Sequence, residues 1–395
     1  MRVAVIGAGI GGLSTAVGLQ RAGAHVTVLE RSDRLRPGGS GLSIFGNGRA
    51  ALNALGLAHE FDALTSETAG LLRGGMRTPN GAWLKTFPAD AVRDVRVIHR
   101  EDLHDLLSSQ LEPGALHLGT NVSALSITGE VGGRTANGAA FNETFDLVVG
   151  ADGLRSTVRT LWPKNPGIRY SGYGAWRGIT SHPIDLRGDA GETWGRHQRF
   201  GIAPLPDGRV YWFAVDSRPA EATGASGAKT RGAQCEVLER FGSWHAPIPE
   251  LVHATDPAVI HWLPIHELGA TLPSFRYGRA ALVGDAAHAM TPNLGQGGNQ
   301  VLEDAATLTV LLQELARQDS PRPSDIDASL AEYDRLRRAR TQRIARQSRL
   351  IGDAANLQGQ GTSAMRDFAL RCTPTWALRR QFSAIHDWAP PRQEP

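Results

Sequence analysis

The sequence predicts an α/β chain with an inserted antiparallel β-sheet and a helical C-terminal segment, on three observations. The first thirty residues read strand, glycine turn, helix, strand. The middle of the chain changes to short aromatic and β-branched runs between Pro and Gly turns. The α/β texture returns near Ala280 and leads into a long helical pattern.

Val3 to Ile6 form an apolar run that breaks at Gly7, after which Leu13, Ala16, Val17 and Leu19 keep near-helical spacing up to Gly23, a helix stop. His25 to Leu29 read as a second buried strand ending at Glu30, which completes a βαβ unit with a right-handed crossover. Pro37 to Gly48 is too glycine-dense for a tight connection and is expected to be a functional loop. Ala50 to Leu57 read as a helix, residues 71–97 as irregular strands, and Arg100 to Leu111 as a helix with Leu103, Leu106, Leu107 and Leu111 on one side. Phe145 to Val149 is another buried strand, ending in Gly150, Asp152 and Gly153.

From Tyr170 to His261 the runs, such as Arg209 to Val215, predict antiparallel sheet, with a mobile loop at Ala220 to Gly232. Ala280 to Val283 is a strand followed by a Gly-rich turn and a helix carrying Leu308, Leu311, Leu312 and Leu315. Seven arginines fall between Arg335 and Arg349. Tyr333, Leu336, Ile344 and Leu350 supply a buried stripe there, so the arginines are read as the solvated face of a surface helix rather than a phosphate or membrane patch.

Composition narrows the function classes. The 395 residues are 41% hydrophobic and 21% charged, which excludes a disordered chain, and no run of 18 or more apolar residues could span a bilayer. The net charge of +3 is too small for a polyanion partner, so neither nucleic acid nor membrane is expected. Two distant cysteines, Cys235 and Cys372, form no disulfide framework, and no cleavable leader is read; a cytoplasmic protein is expected. His99 with His104 and His261 with His266 lack zinc-ligand spacing, and no GxSxG elbow exists.

Gly7, Gly9 and Gly12 spell GxGxxG between a strand and a helix. Glycines there let backbone approach a pyrophosphate, the helix N-terminus favours its charge, and Glu30 can accept ribose hydroxyl hydrogen bonds. A dinucleotide site follows, in a Rossmann-like unit, without deciding which dinucleotide. Two further strand-then-glycine turns, VVGADGLRSTVR (Val148 to Arg159) and ALVGDAAHAMTPNLGQGGNQ (Ala281 to Gln300), each place an Asp just past a strand end, where ligands of open α/β sheets collect.

The trio of N-terminal GxGxxG, central DG and later GDAAH…PxxGQG resembles the single-component FAD-dependent aromatic hydroxylases, the group that includes p-hydroxybenzoate hydroxylase. The stretches RYSGYGAWRGIT and QRFGIAPLPDGRVYWFA look closest to FAD-dependent urate hydroxylase and zeaxanthin epoxidase relatives. The resemblance implies an α/β Rossmann-like FAD-binding domain of the glutathione reductase type, discontinuous over 1–70, 98–168 and 275–345. An inserted antiparallel β-sheet substrate domain would cover 71–97 and 169–274, with a helical segment over 346–395.

It implies FAD as cofactor, held by Gly7, Gly9, Ile10, Gly12, Glu30, Arg31, Arg100, Val122, Asp152, Gly153, Asp285, Pro292, Gly295, Gly297 and Gly298. The helix near Gly298 would point its positive end at the flavin pyrimidine, Pro292 would lie where oxygen reacts, and His288 is read as structural. NADH or NADPH would be the co-substrate and O2 the oxidant, giving hydroxylation or epoxidation through a flavin C4a-hydroperoxide. Arg199 and Tyr211, twelve residues apart on adjacent strands, would flank a small aromatic substrate, an anionic one suiting the arginine; Trp176 and Arg177 are weaker candidates. An FAD reductase or dehydrogenase without oxygen insertion, and a flavin-binding sensor, stay open as alternatives. Monomer and homodimer also stay open.

Overall fold

The computed structural model describes residues 1–35, 40–219 and 232–392. Part of the Pro37–Gly48 passage and nearly all of the Ala220–Gly232 stretch lie outside the described residues; Gly41–Ile44 is a strand paired with Arg96–His99.

The first sheet has six strands in the order Arg276–Tyr277, Ala280–Leu282, Leu147–Gly150, Arg2–Ile6, His25–Leu29 and Leu116–His117. The three strands expected to end in glycine turns are neighbours and parallel: Ile6 is in register with Gly150, and Gly150 with Leu282. All three turns therefore leave from one row at one sheet edge, the place where open α/β sheets gather ligands. Apolar runs such as Val3, Ala4 and Val5 are buried on both faces, as parallel strands covered by helices require. Helices Ile10–Ala22 and Gly297–Ala316 cross there so closely that a Cβ on Gly18 would strike Thr309 and Leu55.

The second sheet has seven strands, ordered His261–Leu268, Ile168–Ile179, Val210–Ser217, Gln198–Pro204, Gly191–Trp194, Gly75–Arg77 and Trp83–Thr86. Its pleat separates two environments. Trp176, Phe200, Trp212 and Ala214 point one way, into a core closed by helices Ala233–Phe241 and Ile248–His253. There the Phe200 and Trp212 rings stack at 5.4 Å, and the Trp212 indole N–H donates to Thr255 Oγ1 at 2.9 Å. A three-stranded sheet, Asn121–Leu125, Glu130–Arg134 and Ala140–Thr144, occupies a stretch for which the sequence suggested no element.

The arginine-rich stretch corrects an expectation. It lies on a 33-residue helix, Pro323–Ala355, which runs through the division expected at residue 346. Arg337 is 1% exposed rather than solvated. Its Nε donates to Asp304 at 2.7 Å, it also pairs with Glu303, and Arg340 Nε meets Glu303 at 2.8 Å. Glu303 and Asp304 are themselves buried on helix Gly297–Ala316, and a buried carboxylate pair requires buried cations. Helices Gln360–Cys372 and Thr375–His386 follow, the second stacking His386 on Phe45 at 4.3 Å.

Candidate active site

The first glycine turn is built by exclusion. Gly7 has φ +101°, and a Cβ there would lie 2.7 Å from the Ala151 carbonyl oxygen. A Cβ on Gly12 would run into the Gly7 carbonyl oxygen, so glycine is what lets the helix sit against the strand. Gly9 differs: it caps the helix, and a Cβ there meets nothing within 4 Å among the described residues. Gly9, Ile10 and Gly11 line the open space at that helix start, whose first amides have no intrahelical partner. Gly297 repeats the arrangement at the start of the 20-residue helix Gly297–Ala316, again with open space around it.

Between this sheet edge and the second sheet lies a cavity of about 380 Å³. Its floor carries Gly9, Ile10, Arg100, Gly153, Asp285, Pro292, Gly295, Gly297 and Gly298. Its roof is one pleat face of the seven-stranded sheet. Ala175 and Arg177 alternate on one strand, Tyr211, Phe213 and Val215 on the next, and Arg199 and Glu192 continue the row through register with Val215 and Gly201. The residues between them, Trp176, Trp212 and Ala214, are those of the aromatic core behind.

The charges are unevenly satisfied. Arg199, 1% exposed, donates to Glu192 Oε2 at 3.3 Å and to Asn293 Oδ1 at 2.6 Å, while its Nε has no partner among the described residues. Asn293 in turn donates to the Tyr173 hydroxyl, Thr291 Oγ1 and the Ser348 carbonyl at 2.8–2.9 Å, which clamps the Pro292–Leu294 turn. Arg177 and Asp285 line the cavity with no ion pair among the described residues. Desolvation lowers the Arg100 guanidinium from its ordinary pKa; Asp285 opposes this and Arg177 reinforces it. Burial raises the Tyr211 phenol, with Arg177 pulling the other way.

Gly7, Gly12, Glu30, Arg31, Val122 and Asp152 are not in the cavity wall. The two glycines stand behind it. Glu30 accepts the Ala8 N–H at 2.8 Å and the Ser32 N–H at 2.9 Å, tying the first turn to the second strand. Arg31 is exposed, and Val122 is buried in the principal core. The Asp152 carboxylate turns back onto Ser156 and the N–H groups of Thr157 and Val158, capping a 3-10 turn. His288 is structural: its Nε2 lies 2.6 Å from Asp304, buried. Sequence reasoning missed the cavity-lining Glu192, Phe213, Leu42 and Met290 and the clamp residue Asn293; only Phe213, two residues past Tyr211 in an alternating run, carried a usable signal.

The residues present fit FAD: two glycine-opened helix N-termini, the Asp285 carboxylate, with no ion pair among the described residues, and the Arg100 cation face one cavity. The family model described as FAD binding domain matches residues 1–348. Aurachin C monooxygenase/isomerase of Stigmatella aurantiaca is 36% identical over 379 residues, covering 94% of each chain. The 2-heptyl-3-hydroxy-4(1H)-quinolone synthase of Pseudomonas aeruginosa is 30% identical, covering 96% of each. HpxO of Klebsiella pneumoniae, solved with FAD and uric acid, superposes with a TM-score of 0.84 at 25% identity, over 98% of this chain and 96% of that one. Cavity and relatives agree, and the chain belongs to the FAD-binding-domain family, among its FAD-dependent monooxygenases.

Proposed function

We propose that this enzyme hydroxylates a small, electron-rich heteroaromatic of the 4-quinolone class, taking electrons from NADH or NADPH and oxygen from O2. The name of the 2-heptyl-3-hydroxy-4(1H)-quinolone synthase, matched over 96% of its length, supports that class. The observation that carries it is the roof: Arg177, Tyr211 and Phe213 share one sheet face opposite the Pro292 turn, so a cation, a phenol and an aromatic ring converge on one apolar-walled space.

FAD, when bound, supplies the electron transfer and the oxygen activation. Gly9, Ile10, Arg100, Gly153, Asp285, Gly295, Gly297 and Gly298 would hold it, and Gly7, Gly12 and Glu30 would keep the first turn in shape. The helix starting at Gly297 directs its positive end into the cavity and favours negative charge there. Arg177 favours the deprotonated, electron-rich form of a ring hydroxyl or enolate. Tyr211, a phenol protonated at neutral pH as any tyrosine is and raised further by burial, donates a hydrogen bond to that oxygen. Phe213, Val215 and Ala175 exclude water beside the reacting ring. Pro292 forms the rigid wall of the reaction space because Asn293 is clamped, and Arg199 acts through that clamp as a positioning residue.

On this reading 1–70, 98–168 and 275–345 form the cofactor domain and 71–97 with 169–274 the substrate domain, in a cytoplasmic enzyme. The test supplies flavin-loaded protein with NADH or NADPH and a panel of 2-alkyl-4-quinolones, aminohydroxybenzoates and urate, following O2 uptake and product mass. Quinolone-stimulated oxygen uptake with one oxygen atom gained is expected. Coenzyme oxidation without an oxygenated product would favour the reductase alternative.

A further inference from the structure

We propose that the C-terminal helix pair, Gln360–Cys372 and Thr375–His386, seats this protein on an anionic lipid surface. The first helix is amphipathic in the inverted sense. Its inward face carries buried Ser363 and Arg366; Arg366 donates to the carbonyls of Gly195 and Ala355 at 3.1 Å, with its guanidinium 5.5 Å from the Trp194 ring. Its outward face carries Met365, Phe368, Ala369 and Cys372, at i, i+3, i+4 and i+7. Met365 is 73% exposed, Phe368 67%, and Trp376, at the start of the second helix, 66%. Three large apolar side chains this exposed on consecutive helices mark an interaction surface.

Charge selects the occupant. Between Gln360 and His386 the sole acidic residue is Asp367, and Arg366 holds it at 2.7 Å. Arg371, Arg379 and Arg380 are exposed, and only Arg379 has an acidic partner among the described residues, Asp90 at 3.1 Å. A second copy of the chain packed isologously would set this cationic patch against itself. An anionic lipid surface complements it: Met, Phe and Trp enter the headgroup boundary while the arginines stay at the phosphates. No described helix is long and apolar enough to cross a membrane, so the attachment is to the surface, and it revises the expectation of no membrane partner. The pair also adjoins the site, since His386 stacks on Phe45 beside Gly295. A lipid-dissolved substrate would be met close to the cavity. The attachment rests on the exposed stripe and its charge, not on the quinolone reading.

The test is flotation of the flavin-loaded full chain with phosphatidylcholine vesicles, with and without phosphatidylglycerol. Binding confined to the anionic vesicles and weakened by salt is expected. Phe368→Ser with Trp376→Ser, and separately Arg371→Gln with Arg380→Gln, should each weaken it at least tenfold, with flavin content and melting temperature unchanged as the folding control. Absence of binding to anionic vesicles, equal binding by the variants, or a concentration-dependent dimer that Phe368→Ser abolishes would overturn the proposal, the last assigning the stripe to a second copy.

Discussion

The floor and the roof of the cavity are made of different material. The floor is mostly glycine backbone, backed by Gly7 and Gly12, which pack too tightly for a side chain. The roof is side chains on a twisted sheet, where Arg177 and Arg199 lie on the same face yet among the described residues one has no ion pair and the other is clamped by Glu192 and Asn293. A backbone site is fixed by where no Cβ can go, whereas a side-chain site is fixed by register and by which charges pair. The floor should therefore fail by geometry and the roof by chemistry.

Gly12→Ala breaks the comparison hardest. Its Cβ meets the Gly7 carbonyl with no flexible side chain to give way, so a loss of roughly 3 kcal/mol or more is expected from strained backbone and displaced helix. Gly9→Ala, with nothing within 4 Å, should keep its melting temperature and lose only flavin affinity. Thermal unfolding and flavin absorbance of the purified variants separate the two; equal behaviour would mean that the floor is not built by exclusion.

Asp304→Asn probes what lies under the floor. Burial alone would raise this carboxyl, but His288 and Arg337 beside it outweigh burial and hold it at about 2. Removing its charge leaves Arg337 short of one buried partner, at a cost of about 3 kcal/mol by the usual penalty for breaking a buried pair. The sign with pH follows from a depressed carboxylate: its stabilisation is complete above pH 3.8 and is lost as pH falls toward 2. Acid unfolding followed by circular dichroism should show a smaller pH dependence in the variant over that window.

The roof is tested by a pair. Arg177→Met should lower kcat/KM for an anionic substrate on the order of a hundredfold, about 2.7 kcal/mol, with flavin binding and melting temperature unchanged. Arg199→Met should act differently, lowering stability and loosening the Pro292 turn, because Glu192 and Asn293 lose their partner. If Arg199→Met depresses only kcat/KM and Arg177→Met does nothing, the assignment of the two arginines is reversed.

This contrast explains what the sequence made legible. The glycine turns could be read because Gly7, Gly9 and Gly12 follow a strand and open a helix, and three such turns share one sheet edge. The roof was half legible: Arg199 and Tyr211 do lie on adjacent strands, but their strands pair Arg199 with Val215 and Tyr211 with Ala203, a register no local pattern discloses. Asp152 was placed at the cofactor by the resemblance alone, and only the fold reveals that its carboxylate caps residues 156–158. Arg337 was misread as solvated because its partners, Glu303 and Asp304, sit more than thirty residues earlier on another helix.

The smallest effect tests whether the floor is also propped from outside. Burial holds the His386 imidazole down at about 4, with Asp387 opposing and Arg340 assisting, so at neutral pH it stacks uncharged on Phe45, which in turn leans on Gly295. A histidine depressed on folding costs nothing above pH 6.5; as pH falls from 6.5 toward 4 the unfolded chain takes up a proton that the folded chain refuses, and stability drops. The loss should be on the order of 1–2 kcal/mol, discounted for the partial exposure of the ring. His386→Phe keeps the stack and removes the titration, so its melting temperature should fall less than the parent's between pH 7 and pH 4.5. Flavin release should follow the same difference, because the prop reaches the floor through Phe45. Parallel pH profiles for the two proteins would detach the C-terminal helix from the cavity energetically and leave the glycine floor supported by its own sheet alone.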